Sequence, residues 1–318
     1  MASITAAPTT TTAPTAPRRQ KKIVVIMGPT GCGKSKLSTD LASRFFPSSE
    51  IINSDKIQIY RGLDITTNKT PLPDRKSVPH HLLGDFDPTE SHPEFTAADF
   101  RSAASSKISQ IVSRRKTPFL VGGSNSYIYA LLAKKFRPDE PTSVFKGSKT
   151  EPGPVPFCKE LRYSCCFIWV DVSLAVLNEY LDKRVDEMMD FGMLEELAEY
   201  FEIAGGSESG LKKSIGVPEF EKYFERYGVD CGGGDDVERK RDYDEAVRAV
   251  KENSYQLAKT QVGKIMRLRD GAGWDLKRVD ATEALRAAMG GKGGRSAEEI
   301  WEREVVEPSV KIVENFME

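Results

Sequence analysis

The stretch Gly28-Pro29-Thr30-Gly31-Cys32-Gly33-Lys34-Ser35 meets the pattern G-x-x-x-x-G-K-[ST] at every fixed position. Glycines at Gly31 and Gly33 let successive backbone N–H groups curl round one anion, and a helix starting beneath them adds partial positive charge. Lys34 then reaches an outer phosphate, and the Ser35 hydroxyl is placed to ligate Mg²⁺, the one cofactor expected. Such a cradle does not say whose phosphate it holds. Machines that hydrolyse ATP or GTP carry an acid at the end of a second apolar strand to hold the metal. Here Phe119-Leu120-Val121 runs into Gly122-Gly123 instead, and Asp171, which ends another apolar run, serves equally well as a cap for the helix after it. A motor or GTPase is disfavoured, while a small-molecule kinase stays open.

The other chemistry-bearing residues are fewer. Asp55 closes a short apolar segment, where a carboxylate is either a general base or a turn cap. His80, His81 and His92 suggest a metal, but adjacent side chains on an extended segment face opposite ways, so a structural or substrate-loop role is preferred. The five cysteines show no paired metal-ligand spacing, and Cys165-Cys166 lies in an apolar run, the pattern of buried free thiols in a reducing compartment. Asp182 to Glu187 reads as a helix face of ion pairs, with Arg184 the member able to lie over phosphates. Trp169, with Phe167 and Ile168, reads as core.

The elements that must hold these groups follow from periodicity. Ile23 to Met27, Glu50 to Asn53, Pro118 to Val121 and Cys165 to Val170 are short apolar runs of strand length. Between them Lys36 to Phe46 and Ala97 to Arg114 repeat apolar residues at helical spacing. Alternation of this kind predicts an α/β fold: a P-loop NTPase-like parallel sheet flanked by helices, with a small mainly helical C-terminal part. Leu174 to Phe201, Val217 to Tyr227 and Tyr243 to Leu268 read as three helices, with Cys231 to Asp236 and Gly290 to Gly294 as breaks. The expected division is a tail over 1–22, a core over 23–200 with a flexible Pro-rich loop at 138–156, and a helical part over 201–318 that helps complete the site.

Composition excludes several classes. A net charge of −1 over 318 residues gives no global pull toward nucleic acid or an anionic membrane. No apolar run approaches the ~20 residues that span a bilayer. Nothing points to an obligate protein partner. Residues 1–22 are rich in Ala, Thr and Pro, contain no acid and end in Arg18-Arg19-Gln20-Lys21-Lys22. That make-up fits a plastid transit peptide and a plain disordered tail equally, the latter leaving the protein cytoplasmic.

Beyond the P-loop the sequence resembles the isopentenyltransferases, which comprise the adenylate enzymes of cytokinin synthesis, plant-type ones included, and the tRNA dimethylallyltransferases. The resemblance covers most of residues 23 to 270. It rests on Gly28-Pro29-Thr30, on Asn53-Ser54-Asp55-Lys56-Ile57-Gln58-Ile59-Tyr60-Arg61-Gly62 and on Val78-Pro79-His80-His81-Leu82-Leu83-Gly84. It continues through Ala97-Ala98-Asp99-Phe100, Val121-Gly122-Gly123-Ser124-Asn125-Ser126-Tyr127 and Arg184-Val185-Asp186-Glu187-Met188. Gly192-Met193-Leu194-Glu195-Glu196-Leu197, Lys213-Ser214-Ile215-Gly216 and Ala258-Lys259-Thr260-Gln261 complete it.

The resemblance implies that the P-loop holds the diphosphate of a prenyl donor, dimethylallyl diphosphate. Gly31, Gly33, Lys34 and Ser35 with Mg²⁺ would then stabilise the leaving diphosphate, and Thr30 would hydrogen-bond the departing oxygen. Asp55 matches the family's catalytic carboxylate, which accepts a hydrogen bond from the adenine N6 amine and takes its proton as the C–N bond forms. Lys213 stands where tRNA-modifying members carry Arg, and would touch the donor diphosphate. Ser124, Arg137 and Lys264 are the candidates for holding the nucleotide. The acceptor follows from departures within the family. No zinc-finger spacing is present, the C-terminus is acidic at Glu298, Glu299, Glu302, Glu304 and Glu307, and Thr260 replaces the Arg of a Lys-Arg-Gln triplet. These favour free AMP, ADP or ATP over tRNA. The alternatives are a tRNA dimethylallyltransferase, a small-molecule kinase and a non-catalytic nucleotide-binding regulator.

Overall fold

The computed structural model describes residues 20–88, 93–137, 145, 157–204, 210–229, 237–290 and 294–318. The tail up to residue 19, His92, the Pro-rich segment apart from Phe145, and Cys231 to Asp236 lie outside the described residues. At the centre is the apolar run Lys22–Met27 (β1), buried along almost its whole length. The chain then forms helix Lys34–Asp40 (α1), which runs on through one wider turn, Leu41–Phe45, into Ser49–Asn53 (β2). After the two-residue strand His80–His81 (β3) come Ala97–Ser113 (α2), Thr117–Gly122 (β4) and Asn125–Leu132 (α3). The strand Ser164–Asp171 (β5) precedes Leu174–Asp190 (α4), Met193–Ala204 (α5), Val217–Tyr227 (α6) and the long Val237–Asp270 (α7). The chain closes with Leu276–Asp280 (β6), Thr282–Met289 (α8), Gly294–Trp301 (α9) and Glu307–Met317 (α10).

Among the described residues six strands run parallel in one sheet, in the order β3-β2-β4-β1-β5-β6. Parallel order requires crossovers that cover both faces, so each strand buries both sets of its side chains. Ile23, Val25 and Met27 face a cluster built from α2, α3, α6 and α7, whereas Val24 and Ile26 face α1, α4 and the C-terminal helices. The period of two along β1 therefore divides the core into two halves. Because the strands share one direction, Gly28, Ser54, Gly122 and Asp171 all emerge at the same edge of the sheet, where open α/β sheets bind ligands.

Several expectations change. The segment 174–201 is two helices rather than one, since Gly192 takes a φ of 98° between α4 and α5 that a side chain would resist. β3 and β6 were not foreseen from the sequence. β6 adds a sixth strand beside β5, an edge position that its mixed Leu-Lys-Arg-Val-Asp pattern conceals. Asp171 does not cap α4, whose N-cap is Ser173; its carboxylate accepts from Arg278 Nε at 2.6 Å. His81 accompanies Arg114 and Lys116 around the buried carboxylate of Glu50, at 2.7, 2.7 and 2.9 Å. Burial alone would raise the Glu50 pKa, but hydrogen bonds from His81, Lys116 and Arg114 outweigh it and hold it at about 2. His81 is thus a structural pin between β2 and β3, while the His80 ring bonds the Val78 carbonyl two residues back.

Candidate active site

Strand β1 delivers the chain into the Gly-rich turn at full burial, and α1 starts directly after Gly33. Gly31 and Gly33 have φ values of 82° and 88°, the left-handed region that the curl demands. The turn opens onto a cavity of about 500 Å³ lined by Thr30, Gly31, Gly33, Lys34 and Ser35 on one side and by Asp55, Gly122 and Gly123 on another. Tyr180 and Arg184 from α4 and Gln261 from α7 complete the inner wall, and Asn68 to Pro71, Asp74 and Lys76 form an outer rim.

Asp55 divides its two oxygens. Oδ1 accepts the N–H groups of Ile57 and Gln58 at 2.9 and 3.2 Å, a turn that holds the carboxylate still. Oδ2 takes no hydrogen bond among the described residues, so one oxygen builds the turn and the other faces the cavity without a partner there. Lys34 Nζ folds back onto Pro29 O at 2.5 Å and makes no ion pair among the described residues. Arg184 Nη1 donates to Thr30 Oγ1 at 3.2 Å, while Nε is enclosed with no partner. Burial pushes its guanidinium pKa down, with a small opposing effect from Tyr180, and no described carboxylate neutralises it. Among the described residues Lys36 and Lys76 of the lining pair with Asp40 and Lys69 pairs with Asp64, whereas Lys34 and Arg184 have no carboxylate partner. That arrangement suits a polyanion.

Gln261 has a role that the motif block alone did not reveal. Its Oε1 accepts the N–H of Thr30 at 2.7 Å, and its backbone carbonyl accepts Asn125 Nδ2 at 3.2 Å. The chain of bonds ties α3 and α7 to the Gly-rich turn. It also explains Gly122-Gly123: a Cβ on Gly122 would lie 2.4 Å from Ser54 O, and one on Gly123 would lie 2.5 Å from Gln261 Nε2. The tandem glycines, read at first only as a missing metal ligand, are the space into which the neighbouring segments close.

Of the residues singled out from the sequence, Thr30, Gly31, Gly33, Lys34, Ser35 and Asp55 come together here, with Arg184 among them. Four others stand outside the lining. Lys213 forms an ion pair with Glu94. Ser124 uses its hydroxyl to accept the N–H of Lys56 at 2.8 Å, and so steadies the turn that carries Asp55. Lys264 lies one helical turn beyond Gln261 with its ammonium 5.8 Å from the centre of the Phe145 ring. Arg137 is exposed, just after the α3 region.

Ser35 is the residue that would hold a divalent ion. Among the described residues no group of three or more His, Cys, Asp or Glu side chains could hold a metal. Asp40, the carboxylate nearest in sequence to Ser35 on α1, is already saturated by Lys36, Lys76 and Trp301. A donor set of one hydroxyl, phosphate oxygens and water is what Mg²⁺ accepts, since it keeps several waters and rarely needs a protein cage. Ser35 beside the cradle fits that requirement.

The comparisons with known proteins decide the family. The profile of the IPP transferase family matches residues 58–151 and 136–265. The chain belongs to this family. It is accordingly a prenyltransferase. An adenylate isopentenyltransferase of Humulus lupulus is 52% identical over 304 residues, covering 92% of this chain and 89% of its own. The chloroplastic adenylate isopentenyltransferase 1 of Arabidopsis thaliana is 51% identical, covering 94% of this chain and 82% of its own. A solved eukaryotic dimethylallyltransferase acting on tRNA shares the fold at a TM-score of 0.71 and 24% identity, covering 93% of this chain and 79% of its own. The cradle, Asp55, the Gly-Gly turn and Gln261 all line one cavity.

Proposed function

We propose that the protein transfers the dimethylallyl group of dimethylallyl diphosphate to the N6 amine of a free adenine nucleotide, AMP, ADP or ATP, the first step of cytokinin formation. The observation that carries this reading is the single cavity in which a polyanion cradle and the free oxygen of Asp55 face the same space, in a chain about half identical to adenylate isopentenyltransferases along nearly its whole length. The diphosphate lies on the N–H groups of the Gly-rich turn, with Lys34 and Arg184 as counter-charges. Thr30, oriented by Arg184 through its hydroxyl and by Gln261 through its N–H, faces the bridging oxygen.

Asp55 Oδ2 accepts an N6–H of adenine and aims the nitrogen at C1 of the donor. As the N6–C1 bond forms, the C1–O bond breaks, the diphosphate leaves on the cradle and the N6 proton passes to Asp55. General-base help contributes ~10²–10⁴-fold, and holding the two reactants in line contributes ~7–11 kcal/mol, so positioning outweighs proton transfer. Mg²⁺ on Ser35 and the phosphate oxygens would supply charge neutralisation for the leaving diphosphate. Lys213 reaches a phosphate only by leaving Glu94, while Lys264, Arg137 and Ser124 act on the nucleotide from beyond the inner cavity. The chloroplastic relative and the basic, acid-free residues 1–22 support a plastid address.

The test is product analysis by mass spectrometry. Protein and Mg²⁺ are incubated with dimethylallyl diphosphate and, separately, with AMP, ADP, ATP or unmodified tRNA. A gain of C5H8 on a free nucleotide supports the proposal, and the relative rates name the acceptor. A gain on tRNA alone moves the protein to the other branch, and phosphorylation of a metabolite by ATP marks a kinase.

A further inference from the structure

The acidic C-terminus has no part in the chemistry above, yet two of its carboxylates reach the P-loop helix and the turn that continues it. Glu298 Oε1 pairs with Lys36 Nζ at 2.9 Å, and Glu302 grips the Arg44 guanidinium with two bonds of 2.7 Å. Trp301 stands between them. The outer edge of its six-membered ring closes on Gly33, where a Cβ would lie only 2.7 Å from Cη2 and 2.9 Å from Cζ3. The indole N–H donates to Asp40 Oδ2 at 2.9 Å, and Lys36 Nζ sits 5.1 Å from the ring centre. Asp40 has a side chain only 2% exposed and also receives Lys36 and Lys76 at 3.1 and 2.7 Å. Trp301 is 7% exposed. The anion-binding turn is therefore pressed from behind by a side chain more than 260 residues away in sequence.

Gly33 is the residue whose left-handed backbone turns the chain from the loop into α1, immediately before Lys34 and Ser35. Any slack there moves the N–H groups that hold a phosphate, and the strength of such a cradle depends on their fixed direction. A glycine with nothing behind it would be free to swing, since glycine has the widest backbone range. The ring fills that space, and its N–H fixes the ring to a carboxylate inside the same helix. We propose that Trp301 is a positioning residue for donor-diphosphate binding: the C-terminal segment latches the P-loop, and the affinity of the cradle is conditional on that latch. This rests on the reading that the cradle holds a diphosphate.

The test uses the full chain with Trp301→Phe and Trp301→Ala, and Mg²⁺ with inorganic pyrophosphate as the probe. Calorimetry gives Kd, thermal unfolding gives Tm, and steady-state rates give KM for dimethylallyl diphosphate and for the nucleotide separately. Trp301→Phe keeps a ring against Gly33 and loses the bond to Asp40, so it is the variant that keeps its fold. The expected result is Kd for pyrophosphate weakened about 5- to 10-fold in Trp301→Phe and more in Trp301→Ala, with the donor KM rising and the nucleotide KM unmoved. Trp301 is one of three tryptophans, so pyrophosphate should change the wild-type fluorescence and leave that of Trp301→Phe nearly unchanged. A Trp301→Phe enzyme that binds pyrophosphate as wild type does, or that loses donor and nucleotide affinity equally, overturns the latch. A wild-type protein that does not bind pyrophosphate overturns instead the reading of the cradle.

Discussion

Replacing Arg184 by Met separates stability from binding. Among the described residues this guanidinium has one hydrogen bond, to Thr30, an enclosed Nε without a partner, and no carboxylate beside it. A charge held this way does not stabilise the fold, because lost hydration costs more than a single neutral acceptor returns. Met matches the length and removes the charge, so the unliganded variant should unfold within ~1 kcal/mol of wild type or slightly later. The bound state differs. A charge-assisted hydrogen bond contributes ~1.5–3 kcal/mol, and two opposite charges 4 Å apart at an effective dielectric of 20 attract by about 4 kcal/mol before desolvation is counted. A net loss near 2.7 kcal/mol is about a hundredfold in Kd. Calorimetry with Mg²⁺ and inorganic pyrophosphate measures it, and thermal unfolding with and without the ligand gives both terms on one sample. Wild type should gain several degrees from pyrophosphate while Arg184→Met gains almost none. An Arg184→Met protein that binds pyrophosphate like wild type, or that is several kcal/mol less stable without ligand, refutes the idea of a cation held in reserve for an anion.

Three further outcomes follow from the same geometry. Asp55→Asn keeps an oxygen for the N–H groups of Ile57 and Gln58, so the turn and both substrate affinities should survive while kcat falls ~10²–10⁴-fold; near-normal turnover would remove Asp55 from the chemistry. Lys34→Ala should raise KM for dimethylallyl diphosphate far more than KM for the nucleotide, and selective loss of ATP binding would point to the kinase. Glu50 has its folded pKa lowered from 4.5 to about 2, so its stabilisation is complete above pH 4.5 and drains away as pH falls toward 2. At ~1.4 kcal/mol per pKa unit, and allowing for the partly exposed Arg114 and Lys116, that is about 2 kcal/mol. Glu50→Gln should therefore be less stable than wild type at pH 7, with the gap in urea-unfolding free energy closing through that window; a gap that stays constant with pH would show that its cause is not the charge.

The parts legible from sequence share a cause: they depend on neighbours along the chain. The Gly-rich turn needs a strand before it and a helix after it, and both lie within a few residues of Gly28 to Ser35. The apolar runs of β1, β2, β4 and β5 report burial on two faces, so a parallel sheet followed from them. α2 was bounded within a residue by its periodicity, and its Thr96–Asp99 capping box shows why. β6 was missed because an edge strand alternates weakly. The break between α4 and α5 was missed because a single glycine inside an amphipathic pattern does not announce its φ. The acidic C-terminus was read as evidence against nucleic acid, since charge alone does not disclose which cations it meets.

The sequence by itself marked a phosphate cradle and, through its ordered motif blocks, the family, with Asp55 as the candidate carboxylate. Only the tertiary structure decided which cations remain free to use that site. Among the described residues Lys34 and Arg184 are left without a carboxylate, whereas Lys213, Lys36 and Lys76 are drawn into pairs with Glu94, Glu298 and Asp40. Residue type says that a lysine is charged. Whether the charge is available to a ligand depends on which distant carboxylates the fold brings within about 3 Å, and no local pattern encodes that distance.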